Sequence, residues 1–149
     1  MTAPRGTLLA AEDDMNPVSD YMTKHPFTIS RHASLAKAHA LMRENGIRHL
    51  PVLESNRVVG IVSDRDLHLL ETIADFELEA VDVDQAMTAN PYVVSRDTPI
   101  HEIVDEMAKH KYGCVVVVEG GKVEGIFTTI DALAALANLL WPAEQHISV

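Results

Sequence analysis

The sequence Gly-Ile-Val-Ser-Asp-Arg-Asp at residues 60–66 is matched by Gly-Ile-Phe-Thr-Thr-Ile-Asp at residues 125–131. In both copies an apolar run typical of a buried strand ends at a hydroxyl residue, and an acid follows three positions later, where an apolar helix pattern begins. The offset between the copies is 65 residues. A constant offset indicates an internal repeat, and a repeat governs how every local pattern in the chain is interpreted.

The hydroxyl and the acid of each copy, Ser63 with Asp66 and Thr128 with Asp131, have two interpretations. They fit a helix capping box, in which the hydroxyl accepts the backbone N–H three residues on and the acid reaches back. They also fit a ligand site, because the free N–H groups and the dipole at a helix N-terminus suit a phosphate. The acid could then accept hydrogen bonds from a ribose diol. The motif by itself leaves both interpretations open.

The repeat extends well beyond the motif, since residues 18–68 and 83–133 align without a gap. Each unit predicts a short helical turn, a brief strand after a proline, an amphipathic helix, two strands joined by a tight turn, and a final helix. In the second unit Thr98 is the predicted N-cap of the middle helix, with Pro99 at its first position. Gly120 and Gly121 predict the turn of the second hairpin.

A single unit is too small to bury its own sheet, so we expect the two units to pack face to face about a pseudo-twofold axis. The predicted class is α+β with α/β-type layers, built from two β-α-β-β-α repeats. The predicted organisation is a flexible lead-in over 1–14, repeat 1 over 15–76, an acidic linker over 77–82, repeat 2 over 83–141 and a C-terminal tail over 142–149.

Composition narrows the classes of function. The formal net charge of −10 in a chain of 149 residues argues against a nucleic-acid partner, because non-specific binding of nucleic acid requires a basic face. The N-terminal apolar run is too short for a signal peptide, and no run approaches the length of a membrane span, so a cytoplasmic protein without membrane contact is predicted. The one cysteine, Cys114, lies in an apolar run and is predicted to be a buried, unreactive thiol.

Neither a metal site nor a catalytic site is predicted. The eight histidines show no His-Glu-x-x-His spacing, and a single cysteine cannot form a Cys-x-x-Cys pair. His39 takes the core-facing position that Val104 has in the second repeat, so it is predicted to be a partly buried histidine. No nucleophile–base pair or nucleophile elbow is visible. We therefore expect a protein that is not an enzyme and requires no cofactor.

The order of elements, the Met-Thr-x-x-Pro openings at residues 22–26 and 87–91, and the strand ending in Gly-Ile-x-Ser/Thr-x-x-Asp resemble the cystathionine β-synthase (CBS) domain. Two in tandem are similar to a CBS pair, or Bateman module, from residue 15 to about residue 140. The resemblance implies a regulatory module that binds AMP, ADP, ATP, S-adenosylmethionine or NAD in clefts between the repeats. It assigns the phosphate to Ser63 and Thr128, and the ribose to Asp66 and Asp131.

The resemblance also implies contacts outside the motif. Backbone of the brief strands would meet the adenine, together with an apolar residue at the start of the middle strand; these positions are Thr28, Ile29, Val93, Val94 and Pro51. Basic residues often precede that strand in the family, and here the candidates are Arg48, His49, His110 and Lys111. For these four, phosphate contact and a solvated surface position both remain open.

The two motifs differ in charge. Asp64 follows Ser63 directly and would repel a phosphate, although Arg65 offsets it. The second motif has neutral residues at the same two positions. Thr128 with Asp131 is therefore the pair that the sequence favours as the phosphate site.

The last helix pattern, over residues 132–141, carries no charge. A helix that is apolar on all sides is buried on more than one side. Together with the resemblance, this predicts a homodimer formed through the helices that follow Asp66 and Asp131. The combined expectation is a stand-alone module that binds an adenine nucleotide and signals to an unknown effector protein. The alternative is a structural or oligomerisation module with empty clefts, or a binder of S-adenosylmethionine or NAD.

Overall fold

The order of elements repeats along the chain, as the constant offset predicts. A computed structural model describes residues 16–73 and 77–142, so the predicted lead-in and nearly all of the predicted tail lie outside the described residues. The first repeat contains β1 (Thr23–Lys24), β2 (Ile29–Ser30), α1 (Leu35–Asn45), β3 (His49–Glu54), β4 (Arg57–Ser63) and α2 (Asp64–Ile73). The second contains β5 (Thr88–Ala89), β6 (Val93–Val94), α3 (Ile100–His110), β7 (Cys114–Glu119), β8 (Lys122–Thr128) and α4 (Thr129–Leu140). Two sheets with these helices confirm the predicted α+β class.

The two sheets exchange their outermost strands. The strand orders are β2-β3-β4-β5 and β1-β8-β7-β6, so each sheet contains one two-residue strand from the other repeat. Thr23 in β1 lies opposite Ile126 in β8, and Thr88 in β5 lies opposite Ile61 in β4. Each motif strand therefore has the opening segment of the other repeat along its edge.

The hydrophobic cores follow the same exchange. Val18 is fully buried in the core of the second repeat, whereas Val81 and Val83 belong to the core of the first. Backbone hydrogen bonds hold these segments in place, with Val18 N–H donating to Thr98 O at 2.9 Å and Leu35 N–H donating to Val81 O at 2.8 Å. The predicted repeat boundaries stay a prediction about sequence units, because the packed units share segments.

Local patterns account for the element ends with one exception. The hairpins turn at Ser55-Asn56 and Gly120-Gly121, and all four residues have positive φ, as a tight turn requires. The prediction that Thr98 caps α3 is wrong. The helix begins at Ile100 with Pro99 at the N-cap, and no side chain caps it. The Thr98 hydroxyl instead lies within hydrogen-bonding distance of Ser95 Oγ, at 3.1 Å, and Pro99 takes the position that the N-cap Ser34 has in the first repeat.

Helix α4 presents a large apolar surface. Its leucines contribute no fully buried residue, and the exposed fractions reach 60% at Leu133 and 68% at Leu140. At 12 residues it is also short. In the described parts of the chain, no helix has both the length and the apolar character needed to cross a bilayer. The sheet covers only part of α4, which leaves an apolar face directed away from the core.

Candidate functional site

Both copies of the hydroxyl–acid motif form a capping box. Ser63 Oγ accepts the backbone N–H of Asp66 at 3.1 Å, and Asp66 Oδ2 accepts the backbone N–H of Ser63 at 2.9 Å. The corresponding distances for Thr128 and Asp131 are 3.3 Å and 2.9 Å. The capping interpretation is therefore correct for both copies. The first N–H group of each helix is also in use, since Asp64 N–H donates to Arg48 O at 2.9 Å and Thr129 N–H donates to Gly113 O at 3.1 Å. The capping role leaves the side chains around each helix start free to contact a ligand.

A cleft of about 640 Å³ lies beside the first motif and between the two repeats. This volume falls within the range of small-molecule sites in proteins, about 300–1,000 Å³. Its lining comes from the start of β3, the β4–α2 junction, the β5–β6 segment and the residues before β7. The lining residues are Arg48, His49, Ile61, Ser63, Asp64, Arg65, Asp66, Thr88, Asn90, Pro91, Tyr92, Lys111, Tyr112, Gly113 and Cys114.

The side chains that line this cleft include more positive than negative charges, although the whole chain is acidic. Arg48, Arg65 and Lys111 line it, opposed by Asp64 and Asp66. The chain as a whole carries a formal net charge of −10, so an excess of cations in one place is local and has to arise from the fold. Such a cleft attracts anions more strongly than the net charge of the protein suggests.

His49 lies between the two repeats. A Cβ placed on Gly113 would lie 3.0 Å from His49 Nε2, so the absence of a side chain at Gly113 makes room for the imidazole. Burial lowers the pKa of His49, and the positive charge of Arg48 lowers it further, while the negative charge of Asp66 acts in the opposite direction. The imidazole is therefore neutral at pH 7 in the described structure.

Three rings form a row beside the cleft. The centroids of Tyr92 and Tyr112 are 5.4 Å apart with the planes tilted by 39°, and His110 stacks on Tyr112 at 5.1 Å. Both tyrosines line the cleft. Burial, followed by the carboxylates of Glu106 and Glu102, raises the pKa of Tyr92, so its phenol is neutral. The cleft thus has an aromatic wall as well as a cationic patch.

Comparison with known proteins identifies this architecture. A family model for the CBS domain matches the chain twice, over residues 18–69 and 80–138. The chain belongs to the CBS domain family. The two matches in tandem confirm that it contains a CBS pair.

Solved structures agree with this assignment. A protein assigned to acetoin utilization from Vibrio cholerae is 34% identical, with a TM-score of 0.76 over 87% of this chain and 96% of that chain. A complex of CBSX2 with AMP is 26% identical, with a TM-score of 0.74 over 83% of this chain and 97% of that chain. Both relatives are covered almost entirely, so the similarity concerns the complete CBS pair.

The curated relatives are longer proteins. The A-adding tRNA nucleotidyltransferase of Aquifex aeolicus is 31% identical over 121 residues, which is 80% of this chain but 14% of that protein. The chain spans between 14% and 32% of the length of the first curated relatives that it matches. The similarity therefore concerns only a part of each of those proteins.

The two motifs of the CBS pair have different surroundings. Asp131 accepts hydrogen bonds from the hydroxyl of the exchanged Thr23, at 3.2 Å to Oδ1 and 3.4 Å to Oδ2. Within the described residues, every side-chain hydrogen bond of Asp66 falls on Oδ2, and Thr88, the counterpart of Thr23, lines the open cleft instead. Asp66 thus has a carboxylate oxygen available, whereas both oxygens of Asp131 are in use.

The cleft brings together six of the predicted site residues. These are Arg48, His49, Ser63, Arg65, Asp66 and Lys111. The other predicted positions lie outside its lining, namely Thr28, Ile29, Pro51, Val93, Val94, His110, Thr128 and Asp131. The preference for Thr128 with Asp131 as the phosphate site stays a prediction, but the cleft described above belongs to the other motif.

The sequence did not predict that the β5–β6 segment and the two tyrosines line the cleft. Thr88, Asn90 and Tyr92 reach the first motif only because β5 pairs with β4. One pattern could have indicated them, since the Met-Thr-x-x-Pro openings recur at the same offset as the motif. The recurrence alone does not show that each Met-Thr-x-x-Pro opening packs beside the hydroxyl–acid motif of the other repeat.

The remaining polar candidates behave as core or surface residues. Cys114 is buried, as predicted, and burial raises the pKa of its thiol to about 12. The His39 side chain is half-buried, as predicted. Among the described residues, no three histidines, cysteines or acids are grouped in a way that could hold a metal ion.

Proposed function

We propose that this CBS pair is a regulatory, non-enzymatic module that binds an adenine nucleotide in the cleft beside Ser63 and Asp66. The observation that carries the proposal is the convergence of three cations and an available aspartate oxygen in one cleft of an acidic protein. AMP is the first candidate. ADP and ATP follow, because the same groups suit a longer phosphate chain.

The phosphate has donors on two sides. Ser63 caps the ten-residue helix α2, and the dipole at this helix N-terminus favours an anion. Arg48, Arg65 and Lys111 add positive charge from the surrounding segments. Asp64 opposes them, so the net attraction rests on the three cations together with the helix terminus.

The ribose contact is assigned to Asp66. A carboxylate oxygen accepts hydrogen bonds only, so Asp66 Oδ1 suits a pair of hydroxyls such as the ribose diol. The AMP complex of CBSX2, at 26% identity, supports this class of ligand. Binding in a cleft between repeats would favour one relative arrangement of the two, and that arrangement is what a partner protein would detect.

The test is calorimetry with AMP on the wild-type chain and two matched variants. Asp66→Ala and Asp131→Ala remove the same capping bond from equivalent helices, and Asp131→Ala also removes the contact with Thr23. Thermal melting of both variants without ligand is therefore the control for folding. We expect Asp66→Ala to weaken AMP binding at least about tenfold, the size of a lost charge-assisted hydrogen bond of about 1.5–3 kcal/mol. Asp131→Ala should bind nearly as wild type. The reverse order would overturn the choice of cleft and support the sequence-based preference for Thr128 with Asp131.

A thermal-shift panel separates the competing classes of function. The panel compares AMP, ADP, ATP, S-adenosylmethionine and NAD at equal concentration. A ligand that binds only the folded protein raises the melting temperature of the protein, by an amount that depends on ligand concentration. We expect the adenine nucleotides to give the largest shifts. If none of the five shifts the melting temperature, the chain is a structural or oligomerisation module instead.

A further inference from the structure

The two edge strands β1 and β5 place equivalent threonines, Thr23 and Thr88, beside the two motifs. The Thr23 hydroxyl donates to Asp131, at 3.2 Å to Oδ1 and 3.4 Å to Oδ2. Thr88 lines the open cleft, and within the described residues its hydroxyl makes no hydrogen bond to Asp66. Because the strand pairing is equivalent in both copies, the exchange of strands does not by itself impose the contact of Thr23.

The carboxylate of Asp131 has little capacity left for a ligand. Its Oδ2 accepts the backbone N–H and the hydroxyl of Thr128, at 2.9 Å and 3.2 Å. Its Oδ1 accepts the Thr23 hydroxyl. A carboxylate accepts hydrogen bonds only, so the hydroxyls of a ligand would compete with Thr23 for the same oxygen. A ribose diol therefore has to displace Thr23 before it can bind Asp131.

The second motif also differs from the first in the charges around it. The three cations that line the first cleft have uncharged residues at the equivalent positions of the other repeat, namely Gly113, Ile130 and Gly46. Asp64 likewise corresponds to Thr129. The second motif thus avoids a repelling acid, but these equivalent positions offer a phosphate no side-chain cation.

We infer that the Thr23 hydroxyl acts as an internal substitute for a ligand hydroxyl at Asp131, so that the chain binds one nucleotide rather than two. The inference rests on the proposed nucleotide binding, and it adds the stoichiometry and the residue that sets it. Thr23 and Asp131 are 108 residues apart in the chain, and their hydrogen bond joins an edge strand of the first repeat to the first turn of α4. We call this pair the clasp: one motif binds the ligand, and the other connects the repeats.

The stability of the chain without ligand tests the clasp as a contact. Thr23→Val removes the hydroxyl and nearly keeps the shape of the side chain, and Asp131→Ala removes the acceptor. In a double-mutant cycle we expect a coupling of at least about twofold in the unfolding equilibrium constant, the low end for residues in contact. The matched cycle of Thr88→Val with Asp66→Ala should show no coupling. Urea denaturation at one protein concentration measures every chain, and equal coupling in the two cycles would overturn the clasp.

Binding measurements test the stoichiometry. Calorimetry should give one AMP per wild-type chain. Adenosine has the ribose diol without the phosphate, so it reports on the carboxylates without help from the cations of the cleft. In equilibrium dialysis, Thr23→Val should bind one more equivalent of adenosine than wild type does, because Asp131 is then open. Thr88→Val is the control and should bind no additional adenosine.

The outcomes separate the clasp from the proposed function. If the wild-type chain binds two equivalents of AMP, or binds one while Thr23→Val gains no adenosine, the clasp is wrong and nucleotide binding stands. If the wild-type chain binds neither AMP nor adenosine, nucleotide binding fails and the inferred stoichiometry fails with it. Thermal melting of each variant shows that a change in binding is not a loss of the fold.

Discussion

At the scale of single residues, Ser63 and Asp66 combine two roles that their chemistry allows at once. Asp66 Oδ2 closes the capping box, and Asp66 also lines the open cleft, where no side-chain hydrogen bond among the described residues falls on its Oδ1. In the second copy, the hydroxyl of Thr23 donates a hydrogen bond to the equivalent carboxylate, that of Asp131. The same motif therefore has an available oxygen in one copy and a protein partner in the other.

His49 gives a prediction about pH at this scale. Its pKa is lowered by burial, so the unfolded chain takes up the proton first as the pH falls. The stability associated with His49 is therefore complete above the ordinary pKa of about 6.5 and is lost progressively below it. We expect the free energy of unfolding of wild type to fall more between pH 7.5 and pH 5 than that of His49→Gln, which has no imidazole to protonate.

Urea denaturation of both chains across this range is the measurement. The comparison is between wild type and variant at each pH, so titration of the other groups affects both equally. An identical slope of unfolding free energy against pH in the two chains would show that His49 does not titrate differently on folding.

At the scale of elements, two-residue strands determine which segments form the site. The edge strands β1 and β5 pair with β8 and β4 of the opposite repeat. Gly60 and Gly125 occupy equivalent places beneath them, where a methionine side chain of the exchanged segment covers each glycine. Without side chains at these two positions, the exchanged strands approach the sheet closely.

The glycines make a matched prediction about stability. A Cβ on Gly60 would meet the backbone oxygen of Thr88 at 2.8 Å as well as the Met87 side chain. At Gly125 the nearest atoms all belong to the flexible side chain of Met22. Since backbone yields less than a methionine, we expect Gly60→Ala to cost about 1–3 kcal/mol and Gly125→Ala distinctly less.

Urea unfolding at pH 7.5 measures both variants against wild type. Gly60→Ala should also weaken AMP binding, because displacement of β5 moves Thr88 and Asn90 at the cleft. Equal destabilisation by the two substitutions would indicate that the methionines, rather than the Thr88 backbone, set the cost.

At the scale of the whole molecule, the apolar face of α4 is the feature that the monomer leaves uncovered. Ile130, Leu133, Leu136, Leu139 and Leu140 are each about half exposed or more. Leu69 on α2 is 58% exposed as well. An exposed apolar surface of this extent marks an interaction site, and a second copy of the chain presents the same apolar chemistry.

We therefore expect the wild-type chain to be a homodimer that joins through α2 and α4. Leu133→Glu combined with Leu136→Glu places charge in that surface and should give a monomer, because a buried unpaired carboxylate is costly. Light scattering coupled to gel filtration measures the mass, and circular dichroism checks that both chains fold. A wild-type monomer at micromolar concentration would contradict the homodimer.

The sequence by itself determined the repeat, the order of elements, both capping boxes, the hairpins and the buried Cys114. These follow from local spacing and from the period of apolar residues, which depend little on distant segments. The motif, together with the resemblance to the CBS domain, also indicated six residues that line the cleft, among them Arg48, Ser63 and Lys111. The failed cap at Thr98 marks the limit, because the helix begins one residue later than predicted, at Ile100, and the Thr98 hydroxyl lies beside Ser95 Oγ.

Only the tertiary structure decided which segments meet. The sequence aligned each Met-Thr-x-x-Pro opening with the motif of its own repeat, whereas the fold pairs β5 with β4 and β1 with β8. Strands of two residues have too few side chains for a pattern to specify a partner, so the partner is fixed by packing of the whole chain. That pairing brings Thr88 and Tyr92 to the first motif and Thr23 to Asp131. The difference between the two halves of this CBS pair is thus a consequence of long-range contacts.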